Sequence, residues 1–274
     1  MGSTSSADVT VLQAENRGHV RVLRLNRPER KNALTSQLGW SIIKAVREAA
    51  ADDAVRVVGL TGQGDAFCSG VDLRGDSGGK VPMPLSPQEA AVDDLGWIQR
   101  LPLLMRVVCE KPVVAGVNGV AVGAGLSLAM CADVRVASEA ARFHPGYTRA
   151  GTSPDGGLSW TLPQAVGHER AMRFMLEQRM ISAAEAAELG LVGEVVDAEG
   201  FEARFLDYCA TLAEVAPIAA RQTKRMLVRS SLPADLEAHL RDELRNARRG
   251  LATEDGKEAV AAILEKRKPE FRGC

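Results

Sequence analysis

The sequence has almost no charge imbalance: 34 Lys and Arg stand against 35 Asp and Glu, a net charge of −1. So weak a field does not draw a protein to nucleic acid or to an anionic membrane, and any phosphate it binds must be held by local contacts. Long uncharged apolar runs are also missing. A membrane-spanning helix needs about 18–20 such residues. The longest candidate, residues 112–130, is broken by glycines and by Asn118 and reads as buried strand, turn and helix. Histidine is scarce, and His19, His144, His168 and His239 show no metal-ligand spacing with one another, with Cys or with carboxylates. No metal site is expected, and each histidine defaults to a structural role. The cysteines, at 68, 109, 131, 209 and 274, are odd in number and contain no CxxC pair. That argues against a disulfide framework and for reduced thiols inside a cell. Residues 1–10 carry no apolar signal core, so a cytoplasmic protein is expected.

What is present is an ordinary globular composition, 46% hydrophobic and 25% charged, on a chain long enough to bury a substantial core. Val20–Leu25 alternates as a strand, and residues 55–61 read as a second. Between them Thr35 can cap a helix that carries Leu38, Ile42, Ala45, Val46 and Ala49 on one face. Val113–Val117 and 134–137 are further strands, separated by a turn at Asn118-Gly119 and a helix over 125–131. This order points to parallel strands joined by crossover helices. Residues 74–90, rich in Gly and Pro, read as a long site-covering loop, and 91–109 as helical. Ser182 and Glu185 have capping-box spacing, Gly190 sits at a helix stop, and 193–196 is one more strand. Thereafter the pattern is helical over 201–214, 217–229, 233–249 and 254–267. An α/β core over 1–200 followed by a helical region over 201–274 is therefore expected, with no visible sequence repeat of 20–50 residues.

Two glycine-rich turns each follow a strand: Gly64 to Asp72, and Asn118 to Gly125, which opens a helix. Glycine admits close approach of backbone to ligand. A helix N-terminus offers free N–H groups and partial positive charge, and two amides converging on one oxygen form an oxyanion hole. Simple tight turns remain the alternative from spacing alone. Gly123-Ala124-Gly125 begins a dinucleotide fingerprint, but Leu128 stands where a third small residue is needed. Ser127, in a GxSxA context, approaches a nucleophile elbow, with His144 or His168 and Asp133 or Asp155 as conceivable partners, yet it falls inside a helix rather than on a sharp turn. Asp155, held in Ser153-Pro154-Asp155-Gly156-Gly157, is either a helix cap or a proton-carrying carboxylate. Tyr147 defaults to packing with a satisfied hydroxyl.

Taken together the motifs resemble the crotonase (enoyl-CoA hydratase/isomerase) family. Its AF-x-x-G-x-D pattern matches residues 66–72, its NG-x-x-x-G-x-G pattern matches 118–125, and its RP-x-x-x-NAL pattern matches 27–34. The ending from Lys257 through Phe271 is also similar. The resemblance implies a crotonase-like spiral of ββα units with a C-terminal helical region serving trimerisation and CoA contacts. It implies an acyl-CoA substrate, no cofactor beyond the coenzyme A that the substrate carries, and a homotrimer or homohexamer. By position, the oxyanion amides come from Cys68 and Ala124. Glu29, Arg30 and Lys31, with Ala66 and Asp72, line the CoA pantetheine and adenine, Ser69, Gly70 and Val71 complete the substrate-binding set, and Phe271 with nearby basic residues contacts CoA in its own or a neighbouring subunit. The family's hydratases carry two glutamates at positions that here hold Ser127 and Tyr147. Without that pair nothing activates and delivers water in the usual way. The segment from Ser153 through Leu162-Pro163 resembles the epoxyphenylacetyl-CoA isomerase branch, in which one acid at the place of Asp155 moves a proton. The expectation is an enoyl-CoA isomerase with Asp155 as acid and base, Ser127 and Tyr147 shaping the pocket. A hydratase, a nucleophilic role for Asp155, or a non-catalytic acyl-CoA-binding protein are the alternatives.

Overall fold

Strands of this chain are laid down alternately in two sheets. The computed structural model describes residues 10–75, 85–231 and 236–270. Strand β1 (Leu12–Arg17) turns at Gly18 and runs antiparallel to β2 (Val20–Leu25). Its side chains are mostly exposed and polar, which suits a sheet edge. Helix α1 (Ser36–Ala51) crosses to β3 (Val57–Gly62), parallel to β2, with the expected cap: Thr35 Oγ1 accepts from Leu38 N at 3.2 Å. Then β4 (Ala66–Cys68) enters the second sheet. After the helices α2 (Pro87–Ala91) and α3 (Gly96–Pro102) the chain repeats the pattern: β5 (Val113–Val117) in the large sheet, β6 (Val120–Val122) in the small one, then α4 (Ala124–Cys131). A third pass gives β7 (Val134–Ser138), β8 (Arg142–His144), α5 (Leu158–Val166) and α6 (His168–Glu177). Strand β9 (Ile181–Ser182), helix α7 (Ala183–Glu188) and β10 (Glu194–Val196) complete the sheets.

The large sheet has the order β1-β2-β3-β5-β7-β10 and the small sheet β4-β6-β8-β9. Each pass thus adds one strand beside its predecessor in both sheets. A structural repeat exists where no sequence repeat is visible, because three-residue strands are too short to carry a periodicity. The expected turn at 118–125 accordingly contains β6, and the first glycine-rich turn contains β4.

Strands β3 and β5 are buried along their whole length, as central parallel strands covered on both faces should be. One face packs into the main core with α1 and α4. The other is covered by α8 (Phe201–Ala213), whose Phe205 presses on Gly59 and Gly116; a Cβ at either glycine would lie 2.9 or 2.7 Å from the ring. Three further helices, α9 (Pro217–Ser231), α10 (Leu236–Ala252) and α11 (Glu254–Glu265), finish the chain close to the expected spans. Lys224 of α9 is buried. Its Nζ donates to the carbonyls of Met105 and Lys111 at 2.6 and 2.9 Å and pairs with Asp133 at 2.7 Å.

Three expectations change. The helix read over 91–109 is α3 followed by a wide π turn, Leu103–Val108. Pro102 has no N–H to donate, which removes one rung of the α-helical ladder. Ser86 and Glu89 form a full capping box on α2 inside the segment read as loop, of which 76–84 lie outside the described residues. At 182–185 only half the box forms: Ser182 accepts from Glu185 N, while the Glu185 carboxylate pairs with Arg179. Among the described residues no helix is long and apolar enough to cross a membrane.

Phe205→Ala should lower the unfolding free energy by about 3–5 kcal/mol, the cost of truncating a fully buried ring, read by urea denaturation. Gly116→Val should be worse tolerated than Gly18→Ala, whose Cβ meets nothing within 4 Å.

Candidate active site

The two glycine-rich segments meet backbone to backbone. Strand β4 pairs in parallel with β6. A Cβ on Gly119 would lie 2.1 Å from the Asp65 carbonyl oxygen, and one on Gly125 would lie 2.2 Å from that of Cys68. No other residue permits such an approach. Ala124 is the first residue of α4, so its N–H has no acceptor within the helix and lies at the positive end of the helix dipole. The Cβ direction of Gly70 points to within 3.8 Å of that nitrogen. The Cys68 thiol takes no part: it is fully buried, and burial pushes its pKa up to about 12. Position 68 can enter chemistry only through its backbone.

Two asparagines hold the first turn. Fully buried Asn32 accepts from Arg27 N at 2.9 Å and donates to the carbonyls of Gln63 and Ala66 at 2.9 and 2.8 Å. Asn118 donates to Gly64 and Ala66 carbonyls at 2.8 and 3.2 Å and accepts from Gly62 N at 3.2 Å. In the sequence both are motif letters, and nothing in their spacing signals this role.

A cavity of about 410 Å³ opens beside these turns. Ser69, Gly70, Val71, Ala124, Tyr147 and Asp155 line it, together with Ala247, Leu251 and Ile263 from α10 and α11. At its base the Tyr147 hydroxyl donates to Asp155 Oδ1 at 2.6 Å. Buried Ser127 lies 2.6 Å from the Tyr147 oxygen and 3.0 Å from the Asp155 carbonyl oxygen. Positions 127 and 147, far apart in sequence, therefore do converge, and Asp155 joins them. Gly156 and Gly157 take positive φ angles of 59° and 78° to make the turn that presents Asp155. Behind that turn the side-chain oxygen of buried Gln99 accepts from Gly156 N at 3.1 Å.

The serine-hydrolase alternative fails on geometry. Ser127 is bonded to a tyrosine, His144 Nε2 is bonded to the Gln178 carbonyl at 2.8 Å, and His168 begins α6. The carbonyl acceptor fixes the Nε2–H form of His144, and burial, reinforced by the charge of Arg149, pushes its pKa below the ordinary histidine value. His144 and Arg149 both line the cavity, which the sequence did not signal.

Glu29, Arg30 and Lys31 are exposed and adjoin the cavity through Ser69, whose N–H donates to the Lys31 carbonyl at 3.0 Å. Lys31 also pairs with Asp65. Ala66 is buried beneath, and Phe271 lies outside the described residues. Asp72 is held by Arg27 at 3.0 Å, and its N–H donates to the Leu34 carbonyl at 2.8 Å. Among the described residues no cluster of three or more His, Cys, Asp or Glu side chains could hold a metal.

A model of the enoyl-CoA hydratase/isomerase family matches residues 15–274. The chain belongs to this family. Its relatives include a probable enoyl-CoA hydratase of Rhodobacter capsulatus, 37% identical over 92% of this chain and 94% of that protein. They also include the 1,2-epoxyphenylacetyl-CoA isomerase of Escherichia coli, 33% identical over 93% of this chain and 95% of that protein. An enoyl-CoA hydratase/isomerase from Pseudoalteromonas atlantica has a similar structure, with a TM-score of 0.84 at 33% identity, covering 96% of this chain and 100% of that one. The two interlocked sheets and helical C-terminal region are thus the crotonase fold.

Burial works against the charge of Asp72, but the hydrogen bond from Arg27, the Arg74 amide and the charges of Arg27 and Arg30 outweigh it, so its pKa lies below the usual carboxylate value. A folded-state pKa below the unfolded one contributes stability that is present above about pH 4 and drains away as pH falls through the folded value. Asp72→Asn should therefore cost about 1–2 kcal/mol at neutral pH. The variant and the parent should converge towards about pH 3 in urea unfolding.

Proposed function

We propose that this member of the family is an enoyl-CoA double-bond isomerase in which Asp155 carries the proton. The observation behind this reading is the carboxylate content of the cavity: Asp155 is the one acid among its described lining residues, with Tyr147 donating to Oδ1. Isomerisation needs one group that takes a proton and returns it, whereas hydration must also activate and place a water.

In this reading the thioester oxygen of a 3-enoyl-CoA lies against the amides of Cys68 and Ala124. As the C2–H bond breaks, its proton forms an O–H bond with Asp155 and the electron pair spreads into a dienolate. Charge collects on the thioester oxygen, where each amide contributes about 3–4 kcal/mol of transition-state stabilisation. Asp155 then gives the proton to C4, its O–H bond breaks, and the double bond lies between C2 and C3. Tyr147 keeps the carboxylate oriented towards the substrate, and Ser127 keeps Tyr147 in place. No external oxidant, water or metal enters the balance.

Hydration is the second reading, favoured by the hydratase names of several relatives, among them an (E)-benzylidenesuccinyl-CoA hydratase of Thauera aromatica. Formation of 3-hydroxyacyl-CoA from crotonyl-CoA would select it. Assembly as a trimer or a pair of trimers belongs to the same proposal. Ile218, Met226 and Leu227 on α9 are exposed apolar side chains that such an assembly could cover.

Asp155→Asn should lower kcat for 3-enoyl-CoA isomerisation by about 10²–10⁴-fold while the thioester still binds; retention of parental turnover removes Asp155 from the mechanism. Tyr147→Phe should act mainly on kcat, by about tenfold, the worth of one charge-assisted hydrogen bond. Both effects are read from steady-state kinetics against binding measured by calorimetry.

A further inference from the structure

The cavity carries a cation that the isomerase mechanism does not use. Arg149 lies on the short 3-10 turn Thr148–Ala150 and lines the cavity with Asp155. The turn is firmly held: Ala150 N and Thr152 N both donate to the Tyr147 carbonyl, at 2.9 and 3.1 Å. Gly151, at φ 68°, packs on α11 so closely that a Cβ there would lie 2.8 Å from Gly256 Cα.

The nearby charges and polar groups are otherwise accounted for. Asp155 is engaged by Tyr147, and His144 is neutral and tied to Gln178. Arg149 itself has no ion pair or hydrogen bond with any described residue. Much of the wall of the same cavity is apolar, with Val71, Leu73, Ala150, Leu251 and Ile263 among its lining. Arg149 is exposed to solvent at this wall, and a ligand that covers the wall removes its water and strengthens the charge pairing made there. A guanidinium there presents a planar fork that matches a carboxylate through two parallel hydrogen bonds.

We propose that Arg149 binds a carboxylate at the far end of the acyl group, so that the preferred substrates are thioesters of dicarboxylic acids. The proposal rests on the acyl-CoA reading of the cavity and adds a substrate class to it. Phosphate groups of CoA are the other anions at hand, but the whole pantetheine arm separates them from the thioester. Arg149 stands only two residues from Tyr147, a backbone rise of about 4 Å in a 3-10 turn, and Tyr147 touches the proton-carrying acid. The acyl group, not the nucleotide, occupies that neighbourhood.

The test is binding by calorimetry of glutaryl-, adipoyl- and suberoyl-CoA against pentanoyl-, hexanoyl- and octanoyl-CoA. Each pair differs by a carboxylate in place of a terminal methyl, and being saturated none requires turnover. The parent protein should prefer at least one dicarboxylic member by roughly tenfold, as expected for a charge-assisted bidentate pair. Arg149→Leu should bring that ratio to about one, and Arg149→Lys should keep part of it. Equal binding within every pair overturns the proposal and leaves the acyl-CoA site standing. A fall in affinity for free CoA as large as that for the dicarboxylic thioester also overturns it, since Arg149 would then be a phosphate contact. If no thioester binds, the acyl-CoA reading falls and this proposal falls with it.

Discussion

Two stretches of backbone lie against each other at the centre of this molecule with no side chain between them. The carbonyls of Asp65 and Cys68 occupy the space where Gly119 and Gly125 would otherwise carry a Cβ. Everything at the site is built outward from that contact. It brings the first-turn amide of α4 beside the 68–70 segment, and it lets β4 and β6 pair after very short crossings from the large sheet. Successive passes of the spiral are thereby locked at one end, beside the cavity.

Polar groups around the contact are arranged to keep it from shifting. The Ala66 carbonyl accepts from Asn32 and from Asn118, so segments from two passes are tied to one oxygen. Beneath, Ser127, Tyr147 and Asp155 form a continuous run of short hydrogen bonds linking α4 to the turn before α5. The hydroxyls of Ser127 and Tyr147 both have partners, which is what a rigid polar network in low dielectric requires. Ser127 and Tyr147 together hold the side chain of Asp155 in place.

The long elements were legible in the sequence because period and caps agree. Val20–Leu25 alternates, Thr35 caps α1, and the continuous apolar strands β3 and β5 are buried on both faces. The C-terminal helices fall within a few residues of their expected spans. Strands β4, β6 and β8 were not legible as strands, since three residues cannot display alternation, and β4 and β6 are brought side by side by the glycine contact. At the site, the two glycine-rich turns stood out through their spacing, and Asp155 through the resemblance of its segment to the isomerase branch. His144 and Arg149 did not: a lone histidine and a lone arginine carry no pattern until the fold brings them to a shared wall. The half-formed capping box at Ser182 has a similar cause, because Arg179 offers the Glu185 carboxylate a stronger, charged partner than a backbone amide.

Lys224 links the last part of the chain to its middle. Its ammonium group meets the carbonyls of Met105 and Lys111 and the carboxylate of Asp133 in a buried position. Asp133 in turn accepts from Val113 N at 2.8 Å, at the start of a central strand. A nascent chain that has emerged only through α8 holds those acceptors without the cation that completes them. The interior of the spiral is therefore completed only once α9 has been made and docks, which ties the burial of Asp133 to the last third of the chain.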